Sequence, residues 1–480
     1  MRIEGKAELE ALFKAQGEKR WAIAATGSRE RVAKLGKLRE AILRRQGELY
    51  EAIAKDYRKT PFEAWLTEVF PSIAELDHTI KSLGKWMRDE RAKGSLILPG
   101  ARSYIRCEPK GRALIMSPWN YPFQLLIAPL VSAIAAGNVV IAKPSNKTPA
   151  TSAFLASLLG EVFPSDEVAV VEGPGAVLGE ILLELPFDHF FFTGSPRVGA
   201  HVGEAAERVH AGLTLELGGK SPTILLPDAD IEDAAKKIAW GKCLNAGQTC
   251  IAPDYLFCPR PLVPAFAEAM ARAVKRMYGE SEEARRASPD FPRIVDSAAC
   301  KRHKALVEDA LAKGAKLELG GDFDVEGRYA PPTILSGATK DMAIMAEEIF
   351  GPILPILAYD SIEEVLEFIH DRPKPLALYV FGRDRRGIDE ALGRTTSGSA
   401  CVNDLIVQIE NLDAPFGGIG MSGTGNYHGH YGFRTFSHER NYMRQGPINM
   451  TSYLYPPYGG KLQLFMKKAI EALFGMRGSR

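Results

Sequence analysis

Short apolar segments of strand length alternate with segments of helical period between residues 138 and 219. Their order is "NVVIAKP", "ATSAFLASLLGEVF", "EVAVVEG", "HFFFTGS", "PRVGAHVGEAAERV" and "LTLELGG". Continuous apolar strands joined by helices are typical of a parallel sheet that is covered by helices on both faces. The sequence therefore predicts an α/β fold with an open parallel sheet.

The same alternation begins again after Gly218 and Gly219 and extends to about residue 408, through "SPTILLPDAD", "DIEDAAKKIAWGKCL", "APPTILSGA", "GPILPILAYD" and "ALYVFG". The chain has 480 residues, whereas a single core stops growing near ~250 to 300 residues. We therefore expect a second α/β domain. From Pro415 to His438 the chain is rich in Gly and aromatic residues and has no helical period, which predicts an ordered loop or an arm.

The charge and cysteine content exclude several classes of function. The net charge is +1, so no overall field attracts nucleic acid, and we expect no such partner. The N-terminal segment is charged throughout and lacks the apolar run of a secretory signal, which favours the cytoplasm. The six cysteines are scattered without a C-x-x-C pair. His428 and His430 in "YHGHYG" lack further ligands nearby in sequence, so we expect a loop there and no metal.

Two segments raise the question of a membrane. Residues 119–142 carry no charge, but Pro122 and Pro129 interrupt them, so a helix capped at Gly137 and followed by a buried strand is the better interpretation. The C-terminal "KLQLFMKKAIEALFGMRGSR" has helical spacing, five basic residues and one acidic residue. A helix of this kind binds an anionic membrane surface or docks on the body or a partner subunit, and we favour docking over a weak membrane contact through residues 460–480.

One Gly-containing segment has the context of a nucleotide site. "LELGGKSP" is not a phosphate-binding P-loop, because Thr214 stands where the first Gly is needed. "GIGMSG" satisfies G-x-G-x-x-G, but no helix pattern follows it. "FFFTGSPRVGAHVGEAAE" does combine a strand, a turn and a helix, and free amides at a helix start bind phosphate. Gly194, Ser195 and Gly199 therefore form either a nucleotide site or an ordinary tight turn.

Cys250 has unusual neighbours for a core thiol. Asn245, Gln248 and Thr249 precede it in "NAGQTCIAPD", and a proline follows. A nucleophilic cysteine must be accessible and stabilised as a thiolate, so polar, turn-rich surroundings are expected for it. Cys243 falls inside an apolar helical pattern and is expected to be inert.

These motifs together resemble the aldehyde dehydrogenase superfamily over residues 20–445. The resemblance depends on "PWNYPF", "IAKPS", "FTGSPRVG", "LELGGKSP", "AWGKCLNAGQTCIAPDY", "EEIFGPILPI" and "PFGGIGMSGTGNYHG", which occur in the family's order. "PWNYPF", "NAGQTCIAPDY" and "YHGHYGFRTFSH" are most similar to the class 3 branch, which includes fatty and aromatic aldehyde dehydrogenases.

The resemblance implies a mechanism for the oxidation of an aldehyde to a carboxylic acid. Cys250 would attack the aldehyde carbon, and the Asn120 amide with the Cys250 N–H would hold the oxyanion. Hydride transfer to the cofactor would leave a thioester. Glu216 would then be the general base for water, and Glu348 would assist proton transfer.

The resemblance also implies that NAD or NADP is the cofactor. The matching residues are Lys143, Gly194, Ser195, Pro196, Arg197, Val198, Gly199, Glu348 and Phe350. Many members have Glu after "KPS", where it accepts from the ribose hydroxyls, whereas this chain has Asn146. Without that carboxylate, and with Arg197 nearby, the site would repel the 2′-phosphate of NADP less strongly. We therefore predict that NADP is tolerated alongside NAD.

The aldehyde tunnel and the assembly are also inferred from the resemblance. Tyr121, Trp240 and Phe416 match tunnel positions, although each is equally compatible with a place in the core. An aromatic wall suits medium- or long-chain aliphatic or aromatic aldehydes. The expected organisation is a Rossmann-like cofactor domain (1–84 and 109–217), a catalytic domain (218–408), an arm that forms a homodimer (85–108 and 409–445) and a tail (446–480).

Three rival functions remain at this point. A coenzyme A-acylating enzyme would pass the thioester to a thiol, but Glu216 argues against it because such a transfer needs no base for water. A cysteine hydrolase without nucleotide and a binding protein without catalysis are more distant alternatives.

Overall fold

The computed structural model describes residues 5–94, 101–447, 452 and 454–475. Parts of the predicted arm and tail, at 95–100, 448–451, 453 and 476–480, lie outside the described residues, as do residues 1–4. The strands are β1 (Glu90–Arg91), β2 (Arg102–Pro109), β3 (Arg112–Met116), β4 (Val139–Lys143), β5 (Val168–Val170), β6 (His189–Gly194), β7 (Gly212–Leu217), β8 (Pro222–Leu225), β9 (Tyr255–Pro259), β10 (Lys316–Leu319), β11 (Thr333–Ser336), β12 (Ile353–Tyr359), β13 (Ala377–Phe381), β14 (Ser399–Val402), β15 (Gly423–Thr424) and β16 (Ser437–Arg444).

The helices occupy the segments between these strands and the two ends of the described chain. They are α1 (Lys6–Ala24), α2 (Ser28–Arg44), α3 (Gln46–Tyr57), α4 (Pro61–Ala64), α5 (Phe70–Trp86), α6 (Gln124–Ala136), α7 (Pro149–Val162), α8 (Glu180–Glu184), α9 (Pro196–Arg208), α10 (Ile231–Cys243), α11 (Val263–Tyr278), α12 (Glu282–Ala287), α13 (Ser297–Ala312), α14 (Ile362–His370), α15 (Arg385–Gly393), α16 (Gly429–Thr435) and α17 (Lys461–Leu473).

The first α/β segment forms a sheet with the order β15-β7-β6-β3-β4-β5 within the described residues. All neighbours are parallel except β15, which runs antiparallel to β7 and sets Gly423 opposite Glu216. The strands β4 and β5 are buried at every position because helices cover both faces of the sheet. The predicted open parallel sheet is confirmed.

The second segment forms a separate sheet with the order β10-β11-β12-β9-β8-β13-β14 in the described part of the chain. Only β10 runs antiparallel to its neighbour. The helix α10, which precedes the Cys250 turn, begins at Ile231, and the Asp230 side chain caps it by accepting from the backbone N–H of Asp233. The mixed α/β fold class is therefore as predicted.

Three strands outside these two sheets form a third, antiparallel sheet within the described residues. Its order is β1-β2-β16, and β2 pairs with β16 from Arg102 to Pro109. The expectation of no helix between Pro415 and His438 is wrong, because α16 lies in this interval. The glycines at its start and middle hid the helical period, and burial of Phe433 against the body stabilises the helix.

The uncharged segment, residues 119–142, forms the expected helix, α6, and most of the expected strand, β4. All residues of α6 are buried, and Gly137 ends the helix with φ of 89°. Pro129 lies inside α6 and does not interrupt it, contrary to the sequence-based expectation. In the described part of the chain, no helix combines the length and the apolar composition that a membrane crossing requires.

The predicted C-terminal helix is α17, and none of its described side chains is buried. Several of its apolar side chains, including Leu462 and Phe465, are exposed, and so is Phe474 just after the helix. The sequence-based expectation was docking on the body or on a partner subunit; the helix does not bury its apolar side chains within the single chain, and docking on a partner stays a prediction.

Candidate active site

A cavity of about 710 Å³ lies between the two large sheets and brings four predicted catalytic residues together. Asn120, Glu216, Cys250 and Glu348 all line it. They come from distant parts of the chain, and Glu216 reaches the cavity from the carboxyl end of β7. Such an edge of a parallel sheet is where α/β proteins bind their ligands.

Cys250 follows a turn of left-handed residues. Asn245 (φ 52°), Ala246 (φ 51°) and Gly247 (φ 72°) adopt this conformation in succession. Gly247 allows close packing, because a Cβ there would lie 2.3 Å from the carbonyl oxygen of Gly351. The turn ends α10 and redirects the chain, so that the half-buried Cys250 faces the cavity while Cys243 remains buried.

The side chains before Cys250 stabilise the turn. Asn245 donates from Nδ2 to the carbonyl oxygens of Asn120 (2.9 Å) and Gln248 (3.1 Å). Gln248 donates from Nε2 to the carbonyl of Asn245 (2.9 Å) and accepts from the N–H of Val295 (2.9 Å). Asn245 and Gln248, two of the polar residues that distinguish this segment in the sequence, therefore bind backbone groups.

The Asn120 side chain is fixed beside this turn. It is buried, and its Nδ2 donates to the carbonyl oxygen of Gln248 at 3.1 Å. An amide nitrogen carries two N–H donors, so one remains for a group in the cavity. This geometry allows Asn120 to stabilise a negative oxygen beside Cys250.

Glu216 is a buried carboxyl group without a partner. It is 3% exposed, and neither side-chain oxygen has a hydrogen-bond partner among the described residues. Burial raises its pKa well above the ordinary value. A buried polar group in this state is costly and is common at functional sites.

Several contacts fix the loop that carries Glu348. Arg302 donates to the backbone carbonyls of Glu348 (3.0 Å) and Ile349 (2.7 Å), and Asp254 accepts from the N–H of Ile349 (2.9 Å). Lys220 forms an ion pair with Asp254 and donates to the carbonyl of Glu347 at 2.9 Å. These contacts fix the loop. The side chain of Glu347, the residue before Glu348, is exposed.

Burial and the charge of Asp254 raise the pKa of Glu348 to about 8. Burial and the carboxylates of Glu348 and Glu216 raise the pKa of Cys250 to about 12, against the opposing effect of the backbone N–H groups of Cys250 and Ile251. These effects favour the protonated thiol at neutral pH, and the expectation of a stabilised thiolate stays a prediction. A base must accept its proton, and a carboxyl group that titrates near neutrality suits this task.

The far end of the cavity is lined by the start of α9. Gly194, Ser195, Pro196 and Arg197 line it, and no side chain caps this helix start within the described residues. Free amides at a helix start bind phosphate, so the residues present fit a dinucleotide. Val198 and Gly199 continue the helix, and Phe350 lies on the wall with its ring 5.3 Å from that of Trp119.

Lys143 ends β4, at the same edge of the sheet. It is buried and lies outside the lining of the main cavity, and its Nζ donates to the carbonyl of Pro144 at 2.9 Å. Burial lowers its pKa, against the effect of the nearby Glu172 carboxylate. Asn146 and Arg197 are exposed.

The three residues that match tunnel positions lie outside the lining of this cavity. Tyr121 is buried and its hydroxyl bonds that of Thr249. Phe416 is buried against Tyr427 and His428, and Trp240 is half-buried near the end of α10. Their role in a tunnel stays a prediction.

The two histidines of "YHGHYG" do not converge. His428 Nδ1 lies 2.9 Å from a carboxylate oxygen of Glu75, and His430 stacks on Trp86 at 5.5 Å. The described residues contain no group of three or more His, Cys, Asp or Glu side chains that could hold a metal.

Residues 3–441 match the model of the aldehyde dehydrogenase family. The chain belongs to this family. It is 40% identical over 444 residues to 4,4'-diaponeurosporen-aldehyde dehydrogenase of Staphylococcus aureus, with 92% of this chain and 94% of that protein covered. It is 41% identical over 431 residues to aldehyde dehydrogenase family 3 member A2 of Mus musculus, with 89% and 87% covered. The predicted likeness to the class 3 branch is confirmed.

Solved structures of other proteins share the fold. AldH of Staphylococcus aureus in a substrate-bound state has a TM-score of 0.92 and 38% identity, with 97% of this chain and 99% of that chain covered. PnpE in complex with nicotinamide adenine dinucleotide has a TM-score of 0.84 and 25% identity, with 93% and 91% covered.

Sequence reasoning about this aldehyde dehydrogenase missed the residues that support the site. Lys220, Asp254 and Arg302 fix the Glu348 loop, and Glu63 and Glu68 bind backbone amides near Cys250 and Asn120. The first two lie inside segments that carry the resemblance, "LELGGKSP" and "CIAPDY". For Arg302, Glu63 and Glu68 no sequence pattern indicates this role, because their partners are distant in sequence.

Proposed function

We propose that this aldehyde dehydrogenase oxidises apolar aldehydes to carboxylic acids with NAD or NADP, through a covalent intermediate on Cys250. One observation carries the proposal: the Cys250 thiol shares a cavity with an oriented amide, Asn120, with the buried carboxyl group of Glu216 and with the half-buried one of Glu348. A nucleophile, an oxyanion donor and a base in one cleft are the requirements of thioester chemistry.

The first step adds the Cys250 sulfur to the aldehyde carbon. Because the thiol pKa is about 12, the proton must leave as the C–S bond forms, and Glu348 with a pKa of about 8 is a suitable acceptor. The carbonyl oxygen becomes an oxyanion beside the Asn120 amide. One preorganised donor of this kind lowers a barrier by ~3 to 4 kcal/mol.

The oxidised nicotinamide, when bound, accepts the hydride that the aldehyde carbon loses. Glu348 and Phe350 would hold its ribose and ring, Lys143 would hold the adenosine ribose, and the start of α9 would bind the pyrophosphate. A thioester then remains on Cys250. Water attacks its carbonyl carbon and breaks the C–S bond, which releases the acid and restores the thiol.

Glu216 is the proposed base for that water. Both of its oxygens are without a protein partner among the described residues, so a water molecule in the cavity is the available donor to them. Its raised pKa gives a stronger base than an ordinary carboxylate. Transfer to coenzyme A would need no such group.

The proposed substrates are medium- or long-chain aliphatic or aromatic aldehydes, with Tyr121, Trp240 and Phe416 as an aromatic wall. We also propose that the six-stranded sheet binds the cofactor, that the seven-stranded sheet with Cys250 forms the catalytic domain, and that the three-stranded arm forms a homodimer. Support for the last point is that β16 lies at the edge of its sheet, where its backbone groups face outward.

A panel of short aliphatic, long aliphatic and aromatic aldehydes tests the proposal, with NAD and NADP in parallel and the absorbance of the reduced cofactor as the signal. We expect aldehyde-dependent reduction, fastest with apolar aldehydes, and free acid as the product. Acyl-thioester formation when coenzyme A is added would favour the acylating rival. No reduction with either cofactor would favour a hydrolase or a binding protein.

A further inference from the structure

A buried lysine lies behind the cavity, between the segment that carries Asn120 and the turn that carries Cys250. The side chain of Lys59 is fully buried, and its Nζ has no hydrogen-bond partner within the described residues. Nζ lies 3.7 Å from a carboxylate oxygen of Glu68, which is also fully buried. A buried charge is retained only where other groups compensate for it, so this cation has a defined set of neighbours.

The first of these neighbours fixes the Asn120 segment. Glu68 Oε2 accepts from the backbone N–H groups of Phe123 (3.1 Å) and Gln124 (2.9 Å), at the start of α6 and just after Asn120. A carboxylate at a helix start is stabilised by these free amides and by the helix dipole. The position of Asn120 therefore depends on Glu68.

The second neighbour fixes the turn before Cys250. Glu63 accepts from the backbone N–H of Asn245 at 2.9 Å, where the left-handed turn begins. The charge of Lys59 lowers the pKa of Glu63, against the larger effect of burial. The same ammonium therefore favours the ionised form of both carboxyl groups.

Two aromatic side chains complete the surroundings and connect the same two segments. Lys59 Nζ lies 4.5 Å from the ring centre of Tyr121 and 5.3 Å from that of Tyr57. The Tyr57 hydroxyl donates to the carbonyl of Trp119, and the Tyr121 hydroxyl bonds Thr249, the residue before Cys250. Each group around Lys59 thus contacts the oxyanion segment or the nucleophile turn.

We propose that Lys59 is a positioning residue, which sets the distance between the Asn120 amide and the Cys250 sulfur by holding the charges of Glu63 and Glu68. This role depends on the proposed thioester chemistry. Without the ammonium, burial leaves Glu68 neutral at neutral pH, since its pKa is about 7 even beside Lys59. A neutral carboxyl group holds the two amides of α6 less firmly, so Asn120 moves relative to the sulfur.

Lys59→Met tests the role, and Arg31→Met is its matched control. Arg31 is another buried basic residue; it lies in α2 and donates to the carbonyl of Ala135 at 3.0 Å, at the end of α6 that is far from Asn120. We expect Lys59→Met to lower kcat by about 10- to 100-fold with both KM values nearly unchanged, because a small displacement of a reacting group costs rate and not binding. Arg31→Met should lower the melting temperature and leave kcat within about twofold.

A second substitution separates positioning from loss of stability. In the double variant Lys59→Met with Glu68→Gln, the neutral amide oxygen still accepts from Phe123 and Gln124 and needs no cation. We expect this variant to regain about tenfold in kcat over Lys59→Met, a coupling that two independent sites do not show. No gain in the double variant, or kcat of Lys59→Met within about twofold of the parent, would refute the role.

Two further outcomes also test the proposed role of Lys59. If Lys59→Met does not fold, Lys59→Gln replaces it, since that variant removes the charge and keeps a polar group in the same space. An unchanged kcat in Lys59→Gln contradicts the proposal. A parent enzyme that reduces neither cofactor with any aldehyde refutes the proposed function instead, so the two failures are distinguishable.

Discussion

A Cβ atom at Gly218 would lie 2.1 Å from Oε2 of Glu348. The carboxylate therefore rests directly on the backbone that joins β7 to β8, and the Gly219 amide lowers its pKa through a hydrogen bond. This contact unites two motifs, "LELGG" and "EEIFGP", that are more than a hundred residues apart. Their proximity explains why residue 218 lacks a side chain.

Gly218→Ala tests this contact. The added methyl group must displace Glu348 from the cavity, so we expect kcat to fall by about 10- to 100-fold, as for other small displacements of reacting groups. Gly36→Ala in α2 is the control, because a Cβ there meets no atom within 4 Å. That variant should keep full activity and gain about 1 kcal/mol from helix propensity. Steady-state kinetics and thermal denaturation measure both effects.

Cys250→Ser should abolish aldehyde oxidation and leave cofactor affinity unchanged. A hydroxyl is a far poorer nucleophile than a thiolate, so we expect turnover to fall by more than about a thousandfold. Cys243→Ser is the matched control, since Cys243 is buried outside the cavity and should affect only stability. Turnover that survives in Cys250→Ser would contradict the proposed mechanism. Cofactor binding is measured by calorimetry.

The pH dependence of turnover follows from Glu348. A base acts in its ionised form, so with a pKa of about 8 the rate should rise as the pH increases through that value. Glu348→Gln should remove this rise and lower kcat by about a hundredfold or more. Initial rates in buffers from about pH 6 to about pH 10 give the profile. A parent profile that is flat across this interval would contradict the assignment.

Glu348 also links pH to stability. Its pKa is raised above the ordinary value of 4.5, so the folded chain favours the protonated form, and this contribution is complete below that value. It is lost as the pH rises to about 8. We therefore expect Glu348→Gln to become more stable relative to the parent as the pH increases over this interval, by thermal denaturation. A constant difference would contradict the raised pKa.

The sequence predicted the sheets and the four residues Asn120, Glu216, Cys250 and Glu348 because that information is local. Apolar strand segments and the Asp230 cap determine their own conformation, and the motifs carry the resemblance. The raised pKa of Cys250 was not predictable, since it depends first on burial and then on Glu348 and Glu216, which only the fold brings close. The α16 helix was missed because its burial, and not its propensity, stabilises it.

Asn146 gives a test of cofactor preference. Its position in "KPSN" lacks the carboxylate that would repel a 2′-phosphate, so the ratio of kcat/KM for NAD over NADP should stay below about a thousand. Asn146→Glu should raise this ratio by about tenfold or more, since two charges near a protein surface repel by more than about 1 kcal/mol. Asn146→Gln, which has the size without the charge, should leave the ratio unchanged. A parent ratio of several thousand would contradict the prediction.

The left-handed turn before Cys250 predicts opposite changes in the free energy of unfolding for substitutions at two adjacent residues. Ala246 has φ of 51°, a conformation that costs a residue with a Cβ about 1 kcal/mol, so Ala246→Gly should raise the free energy of unfolding by about that amount. Gly247 has φ of 72°, and a Cβ there would clash with the Gly351 carbonyl. Gly247→Ala should therefore lower the free energy of unfolding by several kcal/mol, on the order of other strained substitutions. Denaturant titration distinguishes the two, and equal effects of both variants would show that the left-handed turn is not what orients Cys250.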